Sequence, residues 1–382
     1  MKLLYYAPQS YGGLAEYAHY QANALADLGV EVTLLSGKKF QKGRMERYHA
    51  VPILDEIKSP KFLSSYLLRK IYFAFATFRN ISKLKKYIKN NGFQFVLFSA
   101  YAEYLAPFWA GKLKKLADQG VCFGATIHDP VRDLKIGPDW WHRLSIASAY
   151  SFLNHAFVLE DIKLDTVRPM ERLVISKLVH GAYTVPRPAK SRKETREDLG
   201  IPLDAKVLIS FGFIRDNKRL DSIIQAMAEL KGVYLICAGS EQNARQKPIS
   251  FYRNLADELG VSERCRWITR FITDDEIADL FEASDAVSLL YDKTFRSASG
   301  VLSLAIPYQK LCIASGGDSS LRSLILKYKL GVWIDPEVDS VAGGIQNIMN
   351  DPPLAEWEKY IQENNWSHNA KLVMDKFRID TR

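Results

Sequence analysis

Residues 2–35, KLLYYAPQSYGGLAEYAHYQANALADLGVEVTLL, decide the fold class. The stretch opens on a short apolar run, 2–7, with the composition of a strand. Tyr11-Gly12-Gly13 is a tight turn. Leu14, Tyr17, Ala18, Gln21, Leu25 and Leu28 then recur at helical spacing along one stripe, and Gly29 ends the pattern. A second apolar run follows at 30–35. Strand, glycine turn, helix, strand is the repeating unit of parallel sheets, whose neighbouring strands need a long crossover.

The rhythm continues outward. Residues 61–90 predict one or two amphipathic helices, 93–98 (FQFVLF) a strand and 103–118 a helix. The run 121–127 (VCFGATI) predicts a strand that stops at His128-Asp129-Pro130, and 155–159 and 173–176 predict short strands. Residues 184–200 are polar and carry two prolines, as a linker and the start of a second domain would. Beyond them the alternation restarts, with strands at 206–212, 233–238, 265–268, 286–290, 311–314 and 331–333. The helices between them are predicted at 219–231, 249–259, 274–282, 300–308 and 319–328. The expected architecture is α/β, two Rossmann-like doubly wound parallel-sheet domains, over 1–185 and 186–354. Residues 355–382 predict a terminal helix bearing Trp357, Trp366 and Phe377.

Composition excludes several classes. The 382 residues are 47% hydrophobic and 25% charged, an ordinary globular balance. No apolar run approaches the ~20 residues that span a bilayer. MKLLYYAPQSYGG reads as a strand entering a turn rather than a signal peptide. Cys122, Cys237, Cys265 and Cys312 are scattered, which points to buried free thiols in a reducing cytoplasm. The net charge of +9 is lopsided: residues 1–185 hold 25 Lys/Arg against 15 Asp/Glu, and the rest hold 27 against 28. Residues 57–102 contain nine Lys/Arg and no acid. Such a field points to an anionic partner. In 61–89 the basic residues flank an apolar stripe rich in aromatics, which fits either a helix on an anionic membrane or a core-facing helix with a solvated basic face. No nucleic-acid-binding motif accompanies the charge, so nucleic acid is not expected.

Ligands of doubly wound sheets bind beyond the carboxyl ends of strands. Four segments there carry polar chemistry. Gly12-Gly13 lets a ligand approach the backbone at a helix start, or is simply a tight turn. The absence of GxGxxG speaks against a nicotinamide enzyme. His128 and Asp129 suit hydroxyl binding or proton transfer, or a sheet-capping role. In Gly212-Phe213-Ile214-Arg215-Asp216-Asn217-Lys218, Arg215 and Lys218 suit a diphosphate, the guanidinium by its fork and the ammonium as a point charge. Ser299-Gly300-Val301-Leu302 opens a helix with hydroxyl and amide groups that suit a phosphate, or is an ordinary cap.

Together these segments resemble the GT-B glycosyltransferases, most closely retaining family 4. The resemblance spans nearly the whole chain and implies that the two domains face each other across a cleft and that the helix of 355–382 packs back on the N-terminal domain. The resemblance is carried by FGFIRDNKRLDSIIQAMAEL (211–230), LICAGS (235–240), WITRFITDDEIADLFEASDAVSLLY (267–291), SGVLSLAIPYQKLCIAS (299–315), the Gly-rich opening and IHDP (127–130). It implies transfer of a sugar, with retention, from a nucleotide diphosphate sugar to a hydroxyl of a glycan or lipid-linked acceptor in polysaccharide or cell-envelope synthesis. On that resemblance Gly12, Gly13, Gly212, Gly239, Ser299, Gly300, Val301 and Leu302 line the donor. His128 sits near the transferring sugar, Arg215 and Lys218 hold the leaving diphosphate, and Asp129 and Glu103 face the acceptor. No metal or cofactor is expected, since protein cations take that place. The enzyme is expected in the cytoplasm, peripheral at the inner face of the plasma membrane. The family's two glutamates, eight positions apart, are replaced here by Ser297 and Ala305. That leaves the donor sugar unidentified and keeps two alternatives: another GT-B enzyme such as a sugar-nucleotide epimerase, or a silent sugar-nucleotide-binding subunit.

Overall fold

A computed structural model describes residues 1–40, 45–58, 65–128, 135–160, 170–241, 246–296 and 298–379. Contacts divide the chain into two compact units, Met1–Gly181 with Asn364–Arg382, and Ala182–Glu363.

The first unit runs β1 (Lys2–Ala7), α1 (Gly13–Asp27), β2 (Glu31–Gly37), β3 (His49–Leu54), α2 (Tyr66–Asn91), β4 (Phe95–Phe98), α3 (Ala106–Ala117), β5 (Cys122–Ile127), α4 (Asp139–Tyr150), β6 (His155–Val158) and β7 (Val174–Lys177). Its seven strands lie in the order β3-β2-β1-β4-β5-β6-β7, all neighbours parallel. One face packs Leu4, Tyr6, Val96, Phe98 and Phe123 against Trp109 and Leu113 of α3 and Ile81 and Leu84 of α2. The edge strand β3 tolerates Pro52, which has no N–H to give a neighbour.

The second unit runs α5 (Arg192–Asp198), β8 (Lys206–Phe211), α6 (Leu220–Glu229), β9 (Val233–Ala238), α7 (Ile249–Glu258), β10 (Cys265–Ile268), α8 (Asp274–Ala283), β11 (Ala286–Leu289), α9 (Gly300–Ala305), β12 (Leu311–Ala314), α10 (Ser320–Lys327), β13 (Gly331–Trp333), α11 (Val338–Asn350) and α12 (Trp357–Glu363). The sheet order is β10-β9-β8-β11-β12-β13, again parallel. Both faces are covered, so the strands are apolar on both sides. Val207 and Ile209 enter one core and Leu208 the other; Ile236 and Ala238 enter the first, Leu235 and Cys237 the second. Each such large side chain contributes roughly 1.5–3 kcal/mol on burial.

Residues 355–377, expected as one helix, form two. Asn364-Asn365 separates α12 from α13 (Trp366–Ile379), and Asn365 Oδ1 caps the new start by accepting from His368 N–H at 2.9 Å. Helix α13 packs on α1. That explains why Gln21 lies on the apolar stripe of α1. Its amide, fully buried, accepts from Tyr5 OH (2.6 Å) and donates to Asn369 Oδ1 (2.6 Å), while Asn369 Nδ2 donates to Tyr17 OH and to Val179 O, both at 2.8 Å. A polar network so complete fixes one register for α13.

Candidate active site

In the second unit the strand order reverses at β8, which lies between β9 and β11. The loops leaving β8 and β11 therefore flank the switch point where such sheets take ligands. Backbone packing holds the first loop. Gly212 (φ 93°) donates its N–H to Ala238 O at 2.9 Å. A Cβ on Gly239 (φ 151°) would fall 2.0 Å from Gly212 O, so no side chain fits there. Ile214 N–H donates to Ser240 O at 2.9 Å and its side chain is buried. Asp216 is taken up by the loop itself: its carboxylate accepts from Tyr252 OH at 3.1 Å and Lys247 N–H at 2.8 Å.

The cations of this loop line a shallow open recess with Ser210, Gly212, Phe213 and Cys237. Arg215 lies 5.7 Å from the Phe213 ring, and its Nε is buried with no hydrogen-bond partner among the described residues. The Lys218 ammonium donates to Phe211 O and lies 3.1 Å from where a Gly212 Cβ would be. Burial, and then the Arg215 charge beside it, pull the Lys218 pKa down to about 8. Among the described residues neither cation is ion-paired. Arg219 is the contrast. Held at φ 50°, it donates to Ser222 Oγ (3.1 and 2.8 Å) and reaches Asp292 Oδ1 at 3.4 Å, while Asp292 N–H donates to Asn217 O at 3.1 Å. Two cations thus stand uncompensated over the recess, and the third ties the two loops together. A buried guanidinium nitrogen without a protein partner, beside an ammonium whose pKa is lowered, has the chemistry to receive an anion.

The loop after β11 differs from its sequence reading. Ser299 is buried and precedes α9, but its hydroxyl does not cap the helix; it lies 3.0 Å from Tyr291 OH. Tyr291 stacks on Phe295 with ring centroids 3.9 Å apart. Burial raises the Tyr291 pKa, with Ser299 and the Arg215 charge pulling against it, so Arg215 acts on this hydroxyl from the β8 loop. Helix α9 is only six residues long, with Pro307 close behind. Leu302 N–H is committed to Ser299 O at 3.1 Å and its side chain belongs to the core. Val301 borders Gly212, its Cγ2 lying 3.9 Å from a would-be Cβ there, and Gly300 is exposed. Ala305 is fully buried in the core; Ser297 lies outside the described residues.

In the first unit the expected residues follow β1, β4 and β5, three adjacent strands. Gly12 (φ 81°) needs its glycine for the turn into α1; a Cβ on Gly12 or Gly13 would meet nothing within 4 Å. His128 Nε2–H donates to Ser99 O at 3.1 Å, and its ring edge meets Tyr17 at 4.6 Å. A carbonyl can only accept, so Nε2 carries the proton and any proton exchange by His128 goes through Nδ1. Burial holds neighbouring His180 neutral, with its pKa down to about 4 and His128 adding to the effect. Glu103 Oε1 accepts from Tyr150 OH at 3.3 Å. Asp129 lies outside the described residues. Sequence reasoning missed Arg219 and Asp292, whose pairing spans 73 residues and leaves no local signal, and Tyr291, whose bond to Ser299 eight residues on follows no helical or strand period.

Comparisons with known proteins agree with this organisation. Residues 191–372 match the family model Glycosyl transferases group 1, and residues 11–158 match Glycosyltransferase Family 4. The D-inositol 3-phosphate glycosyltransferase of Mycobacterium tuberculosis (strain ATCC 25618 / H37Rv) is 30% identical over 151 residues, covering 38% of this chain and 31% of that protein. The chain thus spans about a third of the length of the curated relatives it matches. Among solved structures, Anabaena Alr3699/HepE in complex with UDP and glucose superposes with a TM-score of 0.71 at 13% identity, covering 99% of both chains. The sucrose-phosphate synthase from Thermosynechococcus elongatus gives 0.70 at 16%, covering 99% of this chain and 98% of that one. WaaG, a glycosyltransferase involved in lipopolysaccharide biosynthesis, gives 0.64 at 16%, covering 98% of each.

Proposed function

We propose that this chain, which matches glycosyltransferase family models over residues 11–158 and 191–372 and shares the fold of GT-B glycosyltransferases, transfers a sugar from a nucleotide diphosphate sugar to an acceptor hydroxyl, with the donor's diphosphate over Arg215 and Lys218. The observation that carries this reading is the pair itself: two uncompensated cations, one with an orphaned buried Nε, at the switch point of the second sheet. The Anabaena relative of similar fold holds UDP and glucose, which supports a nucleotide-sugar donor here.

Transfer breaks the bond between the anomeric carbon and the phosphate oxygen and forms one to the acceptor oxygen, whose proton passes to an oxygen of the departing diphosphate. The electron pair leaves with the diphosphate. Arg215 and Lys218 stabilise that charge as it grows, the role for which fixed donors in a water-poor site are most effective. Lys218, whose pKa burial lowers to about 8, holds its proton more firmly once the diphosphate charge lies beside it. Gly212 and Gly239 keep the backbone low enough for the phosphates to approach, Val301 borders Gly212, Gly300 is assigned to the donor beside it, and Ser299 holds Tyr291. Gly12 and Gly13 are assigned to the donor, His128 to the transferring sugar, acting through Nδ1, and Asp129 and Glu103 to the acceptor side. The protein cations make a metal unnecessary in this scheme, and retention follows the family. A glycan or lipid-linked acceptor of envelope or polysaccharide synthesis fits the basic first half, and the four buried free thiols suit the cytoplasm.

A second reading, a sugar-nucleotide-binding subunit without turnover, draws on Ala305, which stands buried where the family places a donor-contacting glutamate. A thermal-shift screen over nucleoside diphosphates and their sugars, followed by an assay of nucleotide release with and without acceptor, separates the readings. Binding with acceptor-dependent release supports transfer. Binding with no release in any combination selects the silent subunit, and conversion of the donor without acceptor selects an epimerase.

A further inference from the structure

We propose that the first unit docks on an anionic lipid surface through the amino-terminal half of α2, extended by Phe108 of α3 and Trp140 of α4. Helix α2 is 26 residues long, about 39 Å. None of residues 65–75 is buried, whereas Ala76, Thr77, Asn80, Ile81, Leu84 and Ile88 are. The helix therefore carries core contacts over its second half and extends past them for about 15 Å.

That extension is not polar. Leu68, Ile71 (56% exposed) and Phe75 (57% exposed) form a stripe of their own. At about 100° per residue it lies roughly 130–190° round the helix from the core-facing stripe. Followed towards the carboxyl end, the same outward side becomes Ser82, Lys86 and Lys89. A chain of ring contacts broadens the apolar part: Phe78 to Phe108 at 6.4 Å, Phe108 to Trp141 at 5.9 Å, Trp141 to Trp140 at 5.8 Å. Phe108 is 63% and Trp140 66% exposed. An apolar end, exposed tryptophan beside it and lysines farther along one face match the layers of a membrane interface: acyl boundary, headgroup level and anionic surface.

The charge selects lipid over a second copy of this chain. No acid occurs between 57 and 102, so a two-fold contact through this face would set lysines against lysines. No described helix is long and apolar enough to cross the membrane, so the association is peripheral. The surface belongs to the unit assigned the acceptor; the advantage of meeting a lipid-borne acceptor there rests on the transfer reading, but the binding does not.

Flotation with phosphatidylcholine vesicles, with and without phosphatidylglycerol, tests it. The full chain should float with the anionic vesicles at low salt and stay behind with neutral ones. Ile71→Glu/Phe75→Glu should lower binding by at least tenfold, and Lys86→Glu/Lys89→Glu by on the order of thirtyfold on anionic vesicles. The nucleotide-induced rise in melting temperature, a property of the other unit, is measured alongside; it should be unchanged in both variants. If either variant is misfolded, Phe108→Ala/Trp140→Ala takes its place. The proposal is overturned if the wild type fails to float while folded, if the variants float equally well, or if Ile71→Glu/Phe75→Glu converts a dimer to a monomer. Flotation without any nucleotide response would leave this proposal standing and sink the donor assignment instead.

Discussion

Lys218→Met should make the nucleotide-free protein more stable while removing its ligand. The ammonium sits beside Arg215, and burial brings its pKa from 10.5 to about 8. Holding it protonated in the fold at neutral pH therefore costs about 3 kcal/mol relative to the unfolded chain. Methionine fills the space without the charge but leaves Phe211 O without its donor, a loss of about 1–2 kcal/mol. The net gain is about 1–2 kcal/mol, or roughly 2–6 °C in melting temperature for a unit of this size. The difference depends on pH. Below about pH 8 the buried lysine is charged in both states and the full difference appears. As pH rises from 8 towards 10.5 the folded lysine sheds its proton first, so the advantage of the variant shrinks. Calorimetry from pH 7 to 10, with and without a nucleoside diphosphate, gives both quantities. The wild type alone should gain stability from nucleotide. A variant less stable than the wild type at pH 7 that still responds to nucleotide would refute the reasoning.

Arg215→Ala should lower turnover by about 10²–10³-fold with the circular dichroism spectrum intact, because one fixed donor to the departing charge is lost; near-normal turnover in steady-state kinetics would unseat Arg215. Gly239→Ala should destabilise the second unit by more than about 3 kcal/mol in urea unfolding, since its Cβ would overlap the Gly212 carbonyl. Asn369→Leu should remove about 2–4 kcal/mol by leaving Gln21 and Tyr17 short of partners. It should also speed hydrogen exchange across α13 and α1 before it affects β8 or β9.

Period and punctuation made most of the strands legible. Runs such as VLI (207–209) and VYLICA (233–238) carry apolar residues at successive positions because both faces are covered, and the loops after them are short. The missed elements had weak local signals. HAVPIL is an edge strand with a proline. VDSVAGGIQNIMN forms α11 despite paired glycines that disfavour a helix, because Val341, Ile345 and Ile348 are buried against the sheet. Arg215 and Lys218 were readable from their place after a strand. What made them chemically distinct was not: that Arg219, one residue on, is neutralised by Asp292 while they are left bare is a fact of tertiary pairing. Ser299 shows the same limit. A serine before a helix reads as its cap, yet here a tyrosine eight residues earlier claims the hydroxyl.

The division of the chain at Gly181 and again at Asn364 has a consequence during synthesis. The ribosome begins the first unit, makes all of the second, and only then supplies the helix that covers α1. At about 5–20 residues per second, roughly 10–40 s separate the emergence of β7 from that of α13. Through that interval Gln21 and Tyr17 await Asn369 on the face of an otherwise complete sheet domain. The first unit is completed only after the second, so a nascent chain arrested before Trp366 leaves the ribosome would present the second unit joined to an uncapped first one.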